Sequence, residues 1–497
     1  MSGIRVTYSG LIGFIVSLVS IITALITLLI ITRTLSAEEF GTWRLIIYLV
    51  LYVTYIQPTI SYWVTRETAR SIDSGKTALL SNGLFSCIAV ALYVVIAYSI
   101  SDQSNTDMNI LLSSFIIIPA IFFYNILSSI NYGWKPHVVH YGAVVLEGSK
   151  IPILLVTLVW FELGVFGVII AITIAHIPGI LLHLIYAKQK IKDKINFKFT
   201  KKWLKLSWLP GYNSLSTIIM SLDVLIFTII TGSVIGLAFH GAAWLVARLS
   251  YNAAIISNAV YPKLLEAKVA GNIIQKNITL LSFIAIPLTL ISMFFAKPGL
   301  YALNPIYEGA SVVIIFMTIR CCIYVYSSAF AQYLTGNEKV DVSENTTFKQ
   351  YIRSKLFLVP STRLIQYSGF LITLTLVLMM VFESSTYVEL VTYWSIIWAL
   401  SEVPFLIYFY ILVKKNFTFK LEISNLTKYL LIGIISFGVP YFLSLEFLEF
   451  NPNVFEFLPN VLLFVGSGIF IYLMLTYFLD NRTRELFSAV INEIKKR

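Results

Sequence analysis

The stretch Leu209–Glu266 reads LPGYNSLSTIIMSLDVLIFTIITGSVIGLAFHGAAWLVARLSYNAAIISNAVYPKLLE. It holds two apolar segments long enough to cross a bilayer, separated by a short turn at Gly232 and Ser233. Each segment has one charged residue far from its ends, Asp223 in the first and Arg248 in the second. A charge at the centre of a bilayer costs about 2.5–3.5 kcal/mol on insertion scales. The stretch therefore predicts two adjacent membrane helices whose charges face a polar cavity or each other rather than lipid.

The rest of the chain repeats this pattern of long apolar segments. Of its 497 residues, 58% are hydrophobic and 12% are charged, and the mean hydropathy is +0.83. Soluble globular proteins have about 25% charged residues. The sequence therefore predicts an all-α polytopic membrane protein with about 14 transmembrane helices. The predicted spans lie near residues 11–32, 43–64, 78–100, 108–130, 140–160, 163–187, 209–231, 235–260, 277–296, 307–334, 358–381, 389–413, 427–445 and 457–479.

The positions of Lys and Arg predict the orientation of these helices. With the N-terminus in the cytoplasm, 30 of these residues fall in inside segments, five of them in Lys339–Arg363, and three fall in outside segments or span ends. Cytoplasmic loops of membrane proteins are enriched in Lys and Arg. We therefore expect a multi-pass plasma-membrane protein with both termini in the cytoplasm. The net charge of +11 is then a topology signal and does not indicate nucleic-acid binding.

The loops limit the possible functions. Residues 188–208 form a basic cytoplasmic linker in which Lys alternates with Ile, Phe and Trp. Such a segment is expected to lie along the inner leaflet, so anionic membrane lipids are predicted partners. The linker is too small to form a folded nucleic-acid-binding module, and we predict no nucleic-acid partner. The outside loops are only about 2–13 residues long, which leaves no room for an extracellular catalytic domain.

The chain also repeats itself weakly. TLSAEEFGTWRLIIYLVLYVTYIQPTISYWVTRETAR follows span 1, and TGSVIGLAFHGAAWLVARLSYNAAIISNAVYPKLLEAK follows span 7. Gly41 and Gly236 match at an offset of 195 residues, which corresponds to six spans and so predicts two parallel halves, a transporter architecture. The predicted parts are a first six-helix half (1–187), the linker (188–208), a second six-helix half (209–413), a C-terminal helix pair (414–479) and a cytoplasmic tail (480–497).

Several short motifs follow the ends of the spans. Arg33-Thr-Leu-Ser-Ala-Glu-Glu-Phe-Gly-Thr-Trp follows span 1, and Trp63-Val-Thr-Arg-Glu-Thr-Ala-Arg70 follows span 2. Spans 7 and 8 add Asp223, the turn Gly236-Leu-Ala-Phe, the run Ala247-Arg248-Leu and the exit Tyr261-Pro262-Lys263. Over roughly residues 1–340 these motifs resemble the polysaccharide-exporter, or Wzx-type flippase, branch of the multidrug/oligosaccharidyl-lipid/polysaccharide (MOP) superfamily, whose fold is MATE-like.

The resemblance implies a function. It implies a flippase that moves a polyprenyl-(pyro)phosphate-linked oligosaccharide from the cytoplasmic to the outer leaflet, for surface polysaccharide or glycoprotein synthesis. Such a protein is not an enzyme and needs no cofactor, and its partners include the lipid-linked substrate and, as candidates, glycan-assembly membrane proteins. No catalytic or metal site is predicted.

Cationic side chains in the spans are the candidate substrate-binding residues, because a pyrophosphate headgroup is polyanionic and cannot cross hydrocarbon unaided. An Arg side chain suits this task best, since its planar fork binds phosphate oxygens bidentately and stays charged. The candidates are Arg320, Arg248 and Lys150 within spans, with Arg44 and Arg33 near the outer rim. Arg33 and Arg44 can instead anchor the ends of their spans.

Intramembrane carboxylates are the candidates for coupling or gating. These are Asp223, Glu147 and Glu402. Asp223 can pair with Arg248, and this pair can be structural or serve as a gate. Glu147 lies three residues before Lys150 on one helical face and can form a structural pair with it. Glu402 can pair with Arg320 or line a second cavity.

Other functions remain open at this point. A cation-coupled small-molecule antiporter of the same superfamily would favour an acidic or aromatic cavity, and the excess of cations in the first ten spans argues mildly against it. A membrane-embedded glycan polymerase or transferase would need a large outer loop or a nucleotide-sugar domain. A non-transporting scaffold would not require intramembrane charges or a repeat.

Overall fold

The structure is a computed structural model that describes residues 19, 22–205, 207–254, 271–336, 338, 348–485 and 488. Within these ranges the regular structure is helical and no strand occurs. The Tyr261-Pro262-Lys263 exit, the beginning of span 1, most of residues 337–347 and the end of the tail lie outside the described residues.

The described chain is a series of helices joined by short connections. They are α1 (Ile22–Thr34), α2 (Ala37–Thr54), α3 (Pro58–Ala69), α4 (Gly75–Ser104), α5 (Met108–Trp134), α6 (His137–Trp160), α7 (Gly164–Ala187), α8 (Phe197–Lys205), α9 (Trp208–Ser221), α10 (Asp223–Thr231), α11 (Ile235–Ala247), α12 (Gly271–Phe294), α13 (Ala296–Leu303), α14 (Ser311–Gly336), α15 (Phe348–Ile352), α16 (Lys355–Val381), α17 (Tyr387–Asn416), α18 (Ile423–Phe447) and α19 (Val454–Leu479).

Many of these helices can cross a membrane. Among the described residues, 11 helical segments are long and apolar enough to do so, and the total is 12 if the bent pair α2 and α3 is one broken span. This agrees with an all-helical, multi-pass membrane protein. The predicted count of 14 stays a prediction, because spans 1 and 8 both run into residues outside the described ranges.

The segment predicted as one span at 43–64 is instead two helices. α2 and α3 meet at an angle of 59° across a break of three residues. Pro58 is the first residue of α3, where its missing N–H costs no helical hydrogen bond, although it would break a helix interior. The buried side chain of Gln57, at the break, donates to the backbone carbonyl of Phe122 in α5 at 3.0 Å. The bend is therefore fixed both by the proline and by a buried hydrogen bond.

The motif after span 1 contains a helix cap. The backbone N–H of Ser36 donates to the Glu39 carboxylate at 2.9 Å, and the backbone N–H of Glu39 donates to Ser36 Oγ at 3.2 Å. This reciprocal capping box satisfies two amides that have no partner within the helix. The acidic residue Glu39 of the motif thus has a local role, which is to begin α2.

The two glycines that mark the sequence repeat lie at close contacts. A Cβ atom at Gly41 would overlap the backbone carbonyl of Val234, and a Cβ atom at Gly236 would overlap the ring of Phe227. Each position therefore accepts only glycine unless its neighbour moves. As a result, the backbone of α2 at Gly41 lies directly against the backbone carbonyl of Val234, in the turn before α11.

Contacts group the chain into two compact units. The first unit comprises Met1–Ala238 with Leu378–Glu383, and the second comprises Phe239–Val377 with Ser384–Arg497. The six-helix halves at 1–187 and 209–413, and their parallel repeat, stay a prediction.

The basic linker contains a docked amphipathic helix. In α8, Trp203 is fully buried in the first unit and its indole N–H donates to the carboxylate of Glu67 at 3.2 Å. Lys202 Nζ lies 3.3 Å from the other oxygen of Glu67, and Phe199 stacks on Trp203 with ring centres 6.0 Å apart. The aromatic residues of the linker therefore attach it to the protein, while Lys202 and the neighbouring Lys201 remain exposed.

A polar clamp joins the ends of three helices in the second unit. Glu422, just before α18, forms an ion pair with Arg482, which follows α19, and accepts from Gln275 of α12 at 2.5 Å. The hydrogen bond from Arg482 holds the pKa of the Glu422 carboxyl below its usual range. Beside it, Asp480 accepts from Tyr429 at 2.9 Å. The C-terminal helix pair is thus tied to α12 by charge-assisted hydrogen bonds.

Candidate functional site

A buried polar network lies in the second unit, on α14, α16 and α17. Glu402 is 0% exposed and accepts hydrogen bonds from Arg363, from Gln366 at 2.7 Å and from Ser327 at 3.0 Å. Arg363 also donates to Ser327 and, at 2.7 Å, to Gln366 Oε1. A buried ion pair is tolerated only when further hydrogen bonds satisfy its remaining polar atoms, and this network supplies them.

Arg320 lies next to this network against aromatic rings. Its guanidinium carbon is 4.0 Å from the ring centre of Trp398, 4.9 Å from that of Tyr324 and 5.9 Å from that of Trp244. The electron-rich faces of these rings attract a cation. Arg320 is only 2% exposed and lies within electrostatic range of Glu402. Glu402 therefore lies near Arg320, whereas its direct ion-pair partner is Arg363.

Two cations lie around one carboxylate in the buried cluster formed by Arg320, Arg363 and Glu402. Arg363 pairs directly with Glu402, and the charge of Arg320 also acts on that carboxylate. Arg side chains stay protonated even when buried, so both guanidinium groups remain cationic. An anion that reached the cluster would find both a charge and planar donors.

Arg363 is the residue that sequence reasoning misses. Its place in the basic segment Lys339–Arg363 assigns it to the cytoplasmic side, but it lies inside α16, which begins at Lys355, and is 8% exposed. A signal was present in the sequence, because Arg363 and Gln366 are three residues apart and therefore share a helical face.

Tyrosines lie between the outer-rim candidate Arg44 and the coupling candidate Asp223 in the first unit. Arg44 donates to the hydroxyl of Tyr48 at 3.4 Å, and its guanidinium carbon lies 5.3 Å from the centre of that ring. Tyr52 donates to the backbone carbonyl of Ser221, the last residue of α9. Asp223 is 4% exposed and within electrostatic range of both tyrosines. These contacts bring Arg44 and Asp223 into one neighbourhood of the first unit.

The other rim and span cations are more dispersed. Arg33 is half-buried in the last turn of α1, and Arg248 is exposed at the start of the 3₁₀ turn Arg248–Ala253. Asp223 belongs to the first unit and Arg248 to the second, and their pairing stays a prediction.

Glu147 and Lys150 form an ion pair on α6. Lys150 Nζ lies 2.6 Å from Glu147 Oε1, and both side chains are partly buried. A second polar group lies on the adjacent helices, where Asn131 donates to the backbone carbonyl of His183 at 2.8 Å and Tyr124 meets the His183 ring edge to face, with ring centres 5.0 Å apart. The pair neutralises itself, so any role in coupling stays a prediction.

The described residues offer charged and aromatic groups rather than a metal centre. No three His, Cys, Asp or Glu side chains in the described ranges are placed to hold a metal ion. The groups available to act on a ligand are guanidinium, carboxylate, hydroxyl and amide groups and aromatic rings.

Comparison with known proteins identifies the fold. No family model matches the sequence, and no curated protein matches it significantly. Among solved structures, the chain is similar to the lipid II flippase MurJ in an inward closed conformation, with a TM-score of 0.67, 15% identity, and coverage of 95% of this chain and 100% of that one. An inward-facing MATE multidrug-resistance transporter of the MOP superfamily gives a TM-score of 0.56 at 11% identity, over 80% of this chain and 95% of that one.

A third similar structure is a MOP superfamily transporter from Pyrococcus furiosus, described as having a binding pocket of reverse polarity that suggests a different function. Its TM-score is 0.52 at 13% identity, over 83% of this chain and 95% of that one. At such low identities the likeness shows the fold alone, because one fold can host unrelated functions. The prediction of a MOP-like, all-helical fold is confirmed, whereas the Wzx-type branch stays a prediction.

Proposed function

We propose that this protein is a flippase that moves a polyprenyl-(pyro)phosphate-linked oligosaccharide from the cytoplasmic to the outer leaflet of the plasma membrane. In this proposal both termini are cytoplasmic, the protein is not an enzyme, and the glycan serves surface polysaccharide or glycoprotein synthesis. The observation that carries the proposal is the presence of two buried guanidinium groups, Arg320 and Arg363, in one cluster with Glu402. A polyanionic headgroup is the cargo for which such buried cations are useful.

The proposed role of Arg320 follows from its surroundings. In the present conformation the ring of Trp398 covers its guanidinium group at 4.0 Å. A headgroup would reach Arg320 only when that ring moves aside, so binding of the anion and uncovering of the cation would be coupled. Arg363 would stay in its ion pair with Glu402.

The remaining predicted residues take supporting roles in the proposal. Arg44 and Arg33 would guide the headgroup near the outer rim, and Lys150 and Arg248 would add contacts along its path. The carboxylates Asp223 and Glu147 would tune coupling or gating. The membrane potential, negative inside, would favour outward movement of the anionic group by about 2.3 kcal/mol per charge per 100 mV.

Two kinds of partner accompany this proposal. The exposed lysines of α8 would contact anionic lipids of the inner leaflet, since Trp203 fixes the opposite face of that helix to the protein. Glycan-assembly membrane proteins would supply or consume the substrate.

The antiporter alternative is less well supported. Aromatic rings could bind an organic cation, but the rings of Trp398 and Tyr324 already face the guanidinium group of Arg320. An incoming cation would have to compete with that residue and would meet its like charge.

The test uses the full-length protein in liposomes that contain a fluorescent polyprenyl-diphosphate-linked disaccharide. Glycan exposed on the outer leaflet is measured by its accessibility to an added glycosidase. Arg320→Gln is expected to slow flipping at least about tenfold, because a charge-assisted hydrogen bond contributes about 1.5–3 kcal/mol. Arg353→Gln removes the same charge from an exposed position of the second unit and is the matched control.

Three outcomes separate the possibilities. Flipping by the wild type and the control but not by Arg320→Gln supports the proposal. Equal flipping by all three proteins removes the role of Arg320. An absence of flipping by the wild type, combined with proton- or sodium-driven uptake of an organic cation such as ethidium, would replace the proposal with the antiporter.

A further inference from the structure

An open cavity of about 560 Å³ lies within the first unit, between α3 and α5. This volume is within the range of small-molecule binding sites, about 300–1,000 Å³. Of its ten described lining residues, only Pro58 lacks a polar side-chain atom, and none is a carboxylate. In a chain that is 58% hydrophobic, these hydroxyl and amide groups suit a ligand that can hydrogen-bond to them.

Two amides at the cavity are held in fixed orientations. Asn125 donates through Nδ2 to Gln57 Oε1 at 2.8 Å, and Gln57 donates onward to the backbone carbonyl of Phe122 at 3.0 Å. Asn125 Oδ1 accepts no hydrogen bond from the described residues and remains available to the cavity. The helix break at Pro58 is what brings the Gln57 side chain to this position.

A hydroxyl at the cavity lacks a partner. Ser61 Oγ is buried and makes no hydrogen bond to any described residue. A buried polar atom without a partner costs about 1–3 kcal/mol, which a bound hydroxyl group would offset. With Asn125 Oδ1, the cavity thus offers one hydroxyl and one acceptor to a ligand.

Aromatic rings complete the cavity. The guanidinium carbon of Arg66 lies 4.4 Å from the ring centre of Tyr62, and Tyr132 lines the cavity from α5. Pyranose rings carry hydroxyl groups at their edges and C–H groups on their faces, so they suit a site that combines amides, hydroxyls and aromatic rings. A diphosphate would find a single, exposed cation here, compared with two buried ones at the Arg320 cluster.

We infer that this cavity binds the uncharged saccharide part of the lipid-linked substrate, with Asn125 and Ser61 hydrogen-bonding to sugar hydroxyls. The inference rests on the proposed function and assigns a second subsite to it. In the predicted topology the C-terminal end of α3 is cytoplasmic, so the subsite lies on the side where the substrate would be loaded.

The test compares two probes on the full-length protein in nanodiscs. The probes are farnesyl diphosphate and farnesyl diphosphate linked to a disaccharide of glucose, galactose or N-acetylglucosamine. For the wild type, we expect at least one disaccharide to lower the Kd about tenfold or more relative to farnesyl diphosphate. Ser61→Ala and Asn125→Ala are each expected to reduce that ratio at least about threefold, whereas Ser99→Ala, an exposed serine of the same unit, keeps it.

The two proposals fail in different ways. Equal Kd values for the sugar-free and all sugar-linked probes would overturn the saccharide subsite, and so would a ratio that both cavity variants leave unchanged. Neither result affects the flippase proposal as long as Arg320→Gln weakens binding of both probes. If the wild type binds neither probe, both proposals are wrong. Because Ser61→Ala removes only an atom that lacks a partner, a loss of folding cannot explain its effect, and a thermal melt checks this.

Discussion

At the scale of single residues, the most demanding feature is the fully buried carboxylate of Glu402. Its two oxygens accept from Arg363, Gln366 and Ser327, and its charge also acts on Arg320. A buried charge without its partner is far more costly than the pair as a whole is stabilising. The loss of any one side chain of this network would therefore leave buried polar groups of the others without a partner.

Glu402→Gln is expected to destabilise the protein by about 3–5 kcal/mol, because it leaves the buried guanidinium group of Arg363 without its ion-pair partner. The double variant Glu402→Gln with Arg363→Gln should recover much of that loss, since it removes one of the two cations. Unfolding of the purified protein in detergent, followed with increasing denaturant, measures both. A double variant that is no more stable than Glu402→Gln alone would contradict the coupling.

The sequence predicts some of these residues and not their arrangement. Glu402 and Arg320 stand out because charges are rare inside apolar spans. Arg363 lies near a span end, where Arg is common, so nothing in the charge pattern separates it from a cytoplasmic residue. Which carboxylate meets which cation depends on how three helices pack, and a single sequence does not contain that information.

At the scale of elements, local signals explain where helices begin and bend. The capping box of Ser36 and Glu39 and the proline at position 58 are both readable in the sequence. The sequence nevertheless predicts one span at 43–64, because hydropathy averages over the break and the bend leaves the apolar content unchanged. The buried hydrogen bond of Gln57 that fixes the bend is a tertiary contact and has no local signature.

The clamp between α12, α18 and α19 leads to a prediction about pH. The folded-state pKa of Glu422 is lowered, so its contribution to stability is present above its unfolded pKa of about 4.3 and is lost as the pH falls through the folded value. Arg482→Gln should lower the Tm at pH 7 by about 1–2 °C, and the difference from the wild type should shrink below pH 4.

Thermal melts of the two proteins between pH 7 and pH 3.5 provide the measurement. Arg484→Gln serves as the control, since the side chain of Arg484 donates to the nearby Asn481 and only its backbone N–H, which the substitution keeps, donates to Asp480. A Tm difference that stays constant across this range would mean that ionised Glu422 is not the partner that stabilises Arg482.

At the scale of the whole molecule, hydropathy and the distribution of Lys and Arg predict most of the architecture. The helical class, the MOP-like fold and 11 of the 14 predicted spans agree between the sequence and the described residues of the structure. Fourteen spans and cytoplasmic termini remain to be measured. The candidate sites are harder to predict from the sequence than the spans are. The cavity between α3 and α5 and the charge cluster each draw their residues from segments far apart in the chain.

The topology can be tested with single cysteines in a variant that lacks the three native ones. Asn105→Cys and Ser385→Cys are predicted to lie outside, separated by eight spans, and Lys201→Cys is predicted to lie inside. A membrane-impermeant maleimide should label the first two in intact cells and the third only after permeabilisation. Labelling of Asn105→Cys but not Ser385→Cys would mean that the number of spans between them is odd.

The contact between Gly41 and Val234 has a consequence for how such folds are detected from sequence families. At position 234 the atom in contact is a main-chain carbonyl, which every amino acid provides, and at position 41 a side chain would collide with it. One site is therefore free to vary while the other is held constant, so the two leave no correlated substitutions in an alignment. Contact prediction from correlated substitutions would therefore miss the contact between Gly41 and Val234, although this contact fixes where α2 lies and is one of the closest approaches in the first unit.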